Sequence, residues 1–191
     1  MELDETIKAR KSTRKFSSKK PDWRDIIESI HSSQYAPMAG GLFSMKIVIV
    51  DDEKIIQELA KWSEQEFINE AKYVVVFVSD DGMVTTPFPE EGETYARQQA
   101  GAAIQNFLLS ITDFGLSTCW IGHFNEEKVR KALKIPEDYT VEALFPIGYS
   151  SELPKKSTPK SDIYHILYFN QWGNDRMKKI EKIESRGPEG Y

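Results

Sequence analysis

The chain has little of what several specialised protein classes need. Its 191 residues include a single cysteine, Cys119, which excludes an intramolecular disulfide framework and fits a reducing compartment. No apolar run approaches the roughly 20 residues of a membrane-spanning helix, and the acidic start lacks the regions of a signal peptide. The formal net charge of −5 argues against nucleic acid as a partner, because binding a phosphate backbone needs a basic face. We therefore expect a cytoplasmic protein that binds neither membranes nor nucleic acid.

Sequence signatures of several catalytic classes are missing as well. The chain has no G-x-S-x-G elbow, no P-loop lysine pattern and no G-x-G-x-x-G after a predicted strand. Its histidines, His31, His123 and His165, are far apart and lack metal-binding spacings, so no metal site is expected. Cys119 lies in an apolar stretch, which favours a buried structural thiol over a nucleophile. Without a nucleophile or an acid/base group, any chemistry should belong to a bound cofactor.

The hydrophobic pattern predicts a single domain over residues 1–175, followed by a charged tail at residues 176–191. Core strands are predicted from apolar runs at residues 45–50 and 73–78 and from an alternating apolar pattern at residues 139–149. An amphipathic helix is expected at residues 51–71, and a loop of the length of an active-site lid at residues 80–93. The aromatic residues within 163–172 predict a C-terminal arm that packs across a partner subunit.

Residues 94–122 organise the chain. A long helix is predicted at residues 94–114, ended by Gly115, and a short apolar strand follows at residues 118–122. Small residues crowd the first half of the helix: Ala96, Ala100, Gly101, Ala102 and Ala103. They would allow another backbone to approach closely, such as a second copy of this helix, and the strand would deliver the backbone N–H of Gly122 to a site. The alternative, in which both elements only form the core, stays open at this point.

Two further segments each have two interpretations. Residues 10–16, with the sequence RKSTRKF, are either a solvated loop or a phosphate-binding segment. Arginine forks match phosphate oxygens, and Ser12 can donate one further hydrogen bond. The turn at residues 36–43, APMAGGLF, either permits close approach of a flat ligand or a second chain, or is only a tight turn. A second basic loop, bounded by prolines, lies at residues 153–160.

Taken together, these segments resemble the FMN-dependent nitroreductases. RKSTRKF is similar to the R-[R/H/K]-S-x-[R/K]-x-[F/Y] segment that opens that family, and residues 36–40 resemble its A-P-S-x-x-N turn. Residues 102–109 and 115–122 are similar to the family's central helix and following strand, and PIGY at residues 146–149 resembles its closing P-x-G-Y. The order and spacing agree from about residue 3 to residue 172.

The resemblance implies an α+β fold in which helices flank a central, mostly antiparallel sheet. It also implies a homodimer with an extended C-terminal arm and two FMN molecules at the dimer interface. The cofactor-binding residues that it implies by position are Arg10, Lys11, Ser12, Arg14, Pro37, Met38, Ala39, Ile121, Gly122, His123 and Lys155.

The resemblance also implies a role for each group of these residues. Arg10, Ser12 and Arg14 would hold the FMN phosphate, ribityl chain or pyrimidine edge, with Lys11 contributing mainly backbone and Lys155 a late phosphate cation. Backbone N–H groups of residues 122 and 123 would lie near flavin N5 and O4. Residues 37–39 would come from the other subunit and pack on the ring system.

The implied activity is hydride transfer from NAD(P)H through FMN to a small-molecule acceptor such as a nitroaromatic compound or a quinone, with no catalytic side chain. The alternatives are a flavin-binding storage or sensing protein without NAD(P)H turnover, and a diverged member with other flavin chemistry. Met38, Gly41 and Phe43 replace the serine, asparagine and glutamine usual in the family's turn, which predicts a more apolar pocket there. Ser157 replaces a common arginine, which predicts weaker phosphate anchoring.

Overall fold

The structure of the protein, a computed structural model, describes residues 1–152, 161–175 and 177. Contacts between Cα atoms divide the chain into a unit Met1–Leu153 and a second unit Pro154–Tyr191. The described part of the second unit contains a short 3₁₀ helix and a Tyr168–Trp172 ring pair with centroids 4.8 Å apart. No helix of the described residues is both long enough and apolar enough to cross a membrane. The predicted boundary between residues 175 and 176 stays a prediction.

The sheet consists of three antiparallel strands in the order β1 (Met45–Val50), β2 (Tyr73–Asp80) and β3 (Tyr139–Ile147). β2 lies in the centre, and its apolar run YVVVFV is buried along its whole length. A strand buried on both faces has no need for alternating polar residues, which is why the sequence pattern was continuous. The predicted strands at all three positions are confirmed.

Helices cover both faces of this sheet. The α-helices are α1 (Leu3–Ala9), α2 (Trp23–Ser32), α3 (Glu53–Ser63), α4 (Gly82–Thr85), α5 (Gly92–Asp113) and α6 (Glu126–Leu133). The 3₁₀ helices are Ser33–Tyr35, Ala39–Gly41, Glu66–Glu70 and Ile163–His165. Side chains of Asp22 and Asn125 accept backbone N–H groups at the start of α2 and α6, as expected of N-cap residues. The predicted α+β class, in which helices flank an antiparallel sheet, is confirmed.

Alternation along β2 builds two separate cores. Tyr73, Val75 and Phe77 face the side covered by α5 and α2, whereas Val74 and Val76 face the side covered by α3. On the α5 side, the rings of Phe77, Phe107 and Phe145 pack against one another with centroids 5.2–5.5 Å apart. Each such buried side chain contributes about 1.5–3 kcal/mol to folding. The long helix α5 is therefore fixed rigidly on the sheet.

Three expectations about local structure were wrong. The helix expected at residues 51–71 ends at Ser63, because Glu64 adopts a left-handed conformation with φ of 55°. The loop expected at residues 80–93 contains α4. The strand expected at residues 118–122 is a series of isolated bridges, because this segment changes partner from the N-terminal residues to β3.

Candidate functional site

The basic segment near the N-terminus is held in an extended conformation. Thr13 donates its backbone N–H to the carbonyl of Thr118 at 2.9 Å, and Ser12 and Thr118 form an isolated parallel β-bridge. Further along, Phe16 donates its backbone N–H to Glu70 Oε2 at 2.8 Å, and its ring packs so tightly on Gly148 that a Cβ there would lie 2.8 Å from it. The segment is thus anchored at both ends rather than being a free solvated loop.

Successive side chains along this extended segment point to opposite sides and differ in burial. Thr13 is fully buried, whereas Arg10 is half-buried and Ser12 and Arg14 are exposed. Burial raises the pKa of the Cys119 thiol, and this is opposed by the charge of Arg14, by a hydrogen bond from Ser12 and by the charge of Arg10. Two cations and a hydroxyl therefore lie on one side of the segment, as a period of two residues requires.

These cations are available to an anion. Among the described residues, neither the Arg10 nor the Arg14 guanidinium forms an ion pair. A cleft of about 250 Å³ is lined by Arg10, Lys11 and Thr118, among others. The Thr118 hydroxyl is buried and has no hydrogen-bond partner in the described part of the chain. Cations beside an unpartnered hydroxyl match the chemistry of a phosphate group.

Backbone donors follow Thr118 closely in the chain. Ile121 is buried and exchanges backbone hydrogen bonds with Leu144 of β3, at 3.1 and 3.0 Å. The next two residues, Gly122 and His123, are exposed, and their N–H groups donate no hydrogen bond within the described residues. A Cβ on Gly122 would meet only Trp120 Nε1, at 3.8 Å, so the space beside this glycine is open. We call residues 10–14 and 118–123 the cationic half-site.

A second cleft forms around the glycine-rich turn. It has a volume of about 460 Å³ and is lined by Pro37, Met38, Ala39, Phe88, Tyr95 and other residues of the turn and α5. Buried Gln99 fixes the turn, because its Oε1 accepts the Ala39 N–H at 3.1 Å while its Nε2 donates to Ser44 Oγ at 2.6 Å. We call residues 37–40, 88, 95, 98 and 99 the turn half-site.

The predicted site residues therefore fall into two groups. Those at residues 10–14 and 121–123 belong to the cationic half-site, and Pro37, Met38 and Ala39 belong to the turn half-site. No hydrogen bond or cleft joins the two half-sites among the described residues. Lys155 and Ser157 lie outside the described residues, so their predicted roles stay predictions. Met38 lines the second cleft and also packs against the core on the α5 side, so the wall there is more apolar than a serine would make it.

Several residues that shape these clefts went unnoticed in the sequence. Gln99, Phe88 and Tyr95 read as ordinary residues of a helix and its preceding loop. Arg97 pairs with Asp81 and with Glu142, the latter at 2.5 Å, and burial raises the pKa of the Glu142 carboxyl. Only the position of Gln99 between Ala96 and Ala100, on the buried side of α5, could have suggested a polar role for this part of the helix.

Comparison with known proteins gives a consistent picture. The sequence profile of the nitroreductase family matches residues 7–71 and 60–149. An iodotyrosine deiodinase of Thermotoga neapolitana is 24% identical over 184 residues, covering 88% of this chain and 97% of the deiodinase.

Solved structures agree with the profile. A nitroreductase family protein of Clostridium novyi NT superposes with a TM-score of 0.72 at 29% identity, covering 91% of this chain and 96% of that protein. An NADPH:FMN oxidoreductase of Vibrio harveyi, solved in complex with NAD⁺, superposes with a TM-score of 0.79 at 25% identity. That match covers 89% of this chain and 77% of the oxidoreductase.

Proposed function

Because the chain belongs to the nitroreductase family, we propose that it is an FMN-dependent oxidoreductase that uses NAD(P)H to reduce a small-molecule acceptor such as a nitroaromatic compound or a quinone. The observation that carries the proposal is the cationic half-site, which combines arginines without an ion pair, backbone N–H groups without an acceptor and an exposed glycine, all judged among the residues that the structure describes. Similarity to the Vibrio harveyi NADPH:FMN oxidoreductase supports both the cofactor and the reductant.

The chemistry of the residues present fits FMN. Its phosphate needs cations and hydroxyl donors, which Arg10, Lys11 and the unpartnered Thr118 hydroxyl provide around one cleft. Its ring system needs open space beside a flat backbone, and Gly122 offers this because a Cβ added there would meet, among the described residues beyond its chain neighbours, Trp120 Nε1 alone, at 3.8 Å. FMN has a dianionic phosphate at one end and a flat ring system at the other. The half-site likewise has its cations, Arg10 and Lys11, at one end and the open backbone at Gly122 at the other.

The roles of individual residues follow from these positions. The chemistry that bound FMN supplies is two-electron transfer from NAD(P)H to the acceptor. Arg14 would place positive charge near the pyrimidine edge, where negative charge develops on reduction. The N–H groups of Gly122 and His123 would donate hydrogen bonds near N5 and O4 and hold the ring in one orientation. Ile121, through its two bonds to Leu144, keeps these donors aligned.

Two half-sites on one chain support a homodimer. In the proposed assembly the turn half-site of one protomer would cover the flavin held by the cationic half-site of its partner. Large apolar side chains are exposed along α1, α5 and the turn after α2, namely Leu3, Ile7, Tyr35 and Phe114. Leu3 and Tyr35 also line one cleft, and exposed apolar side chains that lie together are typical of a protein interface. The aromatic residues of 163–172, exposed within their own unit, would pack against the partner as an arm.

Anaerobic mixing of the purified, FMN-loaded protein with NADH or NADPH tests the activity. Rapid loss of flavin absorbance, followed by its return on adding a nitroaromatic compound or a quinone, would support the oxidoreductase. Persistent flavin absorbance with both reductants would instead support a storage or sensing protein that binds flavin without turnover. Mass measurement in solution tests the dimer in the same sample.

Reductive dehalogenation is a second candidate, favoured by similarity to the Thermotoga neapolitana deiodinase over most of the chain. Iodide release from iodotyrosine by the chemically reduced protein would support it. Reduction of nitroaromatic compounds or quinones without iodide release would support the first candidate.

A further inference from the structure

The wall of the turn half-site is built for a flat aromatic group. Phe88 and Tyr95 pack edge to face with ring centroids 5.4 Å apart, and both line the cleft. The Phe88 ring rests on the turn at Gly40, where an added Cβ would lie 3.4 Å from two of its ring carbons. Because Gly40 has a φ of 58°, a conformation that other residues adopt only with strain, this close contact is specific to glycine.

The segment that carries this wall, residues 81–92, is held firmly. At its start, Asp81 pairs with Arg97 of α5, and Arg97 also pairs with Glu142 of β3 at 2.5 Å. At its end, the backbone turns back so closely that a Cβ on Gly92 would lie 2.5 Å from Thr85 Cα. Phe88 is therefore positioned by rigid neighbours, and the cleft has a defined shape before any ligand enters.

Negative charge surrounds the aromatic wall. Glu90, Glu91 and Glu93 lie between Phe88 and Tyr95 in the chain, and all three are exposed. No lysine or arginine occurs between residues 82 and 96, and no residue that lines the cleft is charged. Arg10 and Lys11 of the cationic half-site would be neutralised by the FMN phosphate, which leaves the single charge of Arg14 at the ring against these three carboxylates. A ligand in this cleft thus meets a net negative field.

We propose that the segment Phe88–Tyr95 selects electron acceptors by charge, admitting uncharged or cationic flat aromatic compounds and disfavouring those that carry a carboxylate. This inference rests on the proposed function, since it assumes that the turn half-site covers the flavin where the acceptor binds. The aromatic rings provide affinity for the flat group, and the three glutamates provide the discrimination.

The size of the effect follows from Coulomb's law. Three like charges about 10 Å from a ligand charge in water change affinity by about three- to tenfold at low ionic strength, and by only about twofold with physiological screening. Such an effect should shrink as salt is added, because the screening length falls from about 30 Å at 0.01 M to about 8 Å at 0.15 M. Discrimination based on shape alone would not depend on salt.

Two compounds that differ in charge alone provide the test: uncharged 4-nitrobenzamide and anionic 4-nitrobenzoate. Their equilibrium binding to the oxidised, FMN-loaded protein is measured by calorimetry without reductant, at low and at physiological ionic strength. Their kcat/KM values with NAD(P)H are measured separately. The variant Glu90→Gln/Glu91→Gln/Glu93→Gln removes three charges at the wall. The control Glu53→Gln/Glu58→Gln/Glu64→Gln removes three from exposed positions on and after α3, on the opposite face of the sheet.

We expect 4-nitrobenzamide to bind about three- to tenfold more tightly at low salt, with the preference lost in the wall variant and kept in the control. Equal binding of the two compounds, an equal preference in both variants, or binding of neither compound would overturn the inference. Discrimination in binding without any NAD(P)H-driven reduction would contradict the proposed function while leaving the inference intact. Reduction of both compounds with equal kcat/KM and equal binding would support the proposed function and overturn the inference.

Discussion

Thr13 and Thr118 are joined by a backbone hydrogen bond of 2.9 Å, and both of their buried side-chain hydroxyls lack a partner within the described residues. The bond ties the cationic segment to the residues that precede Gly122, so that cations and backbone donors share one half-site. The two hydroxyls differ in one respect, because Thr118 lines the cleft beside Arg10 and Lys11. A buried hydroxyl without a partner lowers stability unless a ligand satisfies it.

The substitutions Thr13→Val and Thr118→Val separate these two roles. Each removes an unsatisfied buried hydroxyl at nearly constant volume, so each should raise the free energy of unfolding of the FMN-free protein by about 1 kcal/mol. Thr118→Val should also weaken FMN binding by about fivefold, because a hydrogen bond to the phosphate is lost. Urea unfolding and fluorescence titration measure the two effects. Equal FMN affinity in both variants would contradict the assignment of the cleft.

Glu142 should make stability fall as pH rises. Burial raises the pKa of its carboxyl in the folded protein, an effect only partly offset by a hydrogen bond from Ser79 and the charge of Arg97. The folded state therefore holds this proton more strongly than the unfolded state does. Its contribution to stability is present below the unfolded-state value of 4.5 and is lost as the pH rises through the higher folded-state pKa.

Urea unfolding of Glu142→Gln across this pH range measures the contribution. The variant should lack the decrease in free energy of unfolding that the wild type shows above pH 4.5. Glu127 is the control, because a hydrogen bond from Lys131 lowers its pKa and gives a contribution of opposite sign, lost as the pH falls. Identical pH profiles for wild type and Glu142→Gln would contradict the prediction.

The Cys119 thiol should react slowly in the folded protein. It is 3% exposed, and burial raises its pKa, so both access and the thiolate fraction are reduced. Ellman's reagent at pH 8 should modify it at least about tenfold more slowly than in urea-unfolded protein. Because Cys119 is the chain's single cysteine, the signal needs no further assignment. Similar rates in both states would show that the thiol is accessible.

Gly92 should tolerate no side chain. A Cβ there would lie 2.5 Å from Thr85 Cα, so Gly92→Ala must move the segment that carries Phe88. We expect a loss of about 1–3 kcal/mol in the free energy of unfolding, together with weaker acceptor binding. Gly82→Ala in the same segment is the control, because its Cβ would lie 3.5 Å from Asp80 Oδ1, an ordinary contact. A Gly92→Ala protein as stable as this control would contradict the packing described above.

Much of the fold could be predicted because its signals are local. The strands β1 and β2 contain nearly continuous apolar runs, and β3 alternates polar with apolar residues in its first half. The N-caps at Asp22 and Asn125 stand directly before amphipathic helices. The basic cluster at residues 10–16 was visible because four cations within seven residues are unusual in an acidic chain. Signals of this kind need no knowledge of distant partners.

The rest depends on contacts between distant residues. Gln99 holds a turn 60 residues earlier in the chain, and Arg97 unites Asp81 with Glu142, yet no spacing in the sequence joins these groups. The segment 118–122 has the composition of a strand, but its pairing alternates between Ser12 on one side and Leu144 on the other. Composition predicts burial there, whereas only the tertiary structure determines which partners it pairs with.

Equilibrium titration of the FMN-free protein with FMN is the most direct test of the cationic half-site. Wild type, Arg10→Ala and the control Lys61→Ala, which removes a positive charge from α3, are compared by flavin fluorescence at fixed salt. We expect one FMN per chain, with a dissociation constant that Arg10→Ala raises about 10- to 100-fold, since a charge-assisted contact contributes about 1.5–3 kcal/mol. The control should match wild type. An Arg10→Ala protein that binds FMN as tightly as wild type would contradict the account.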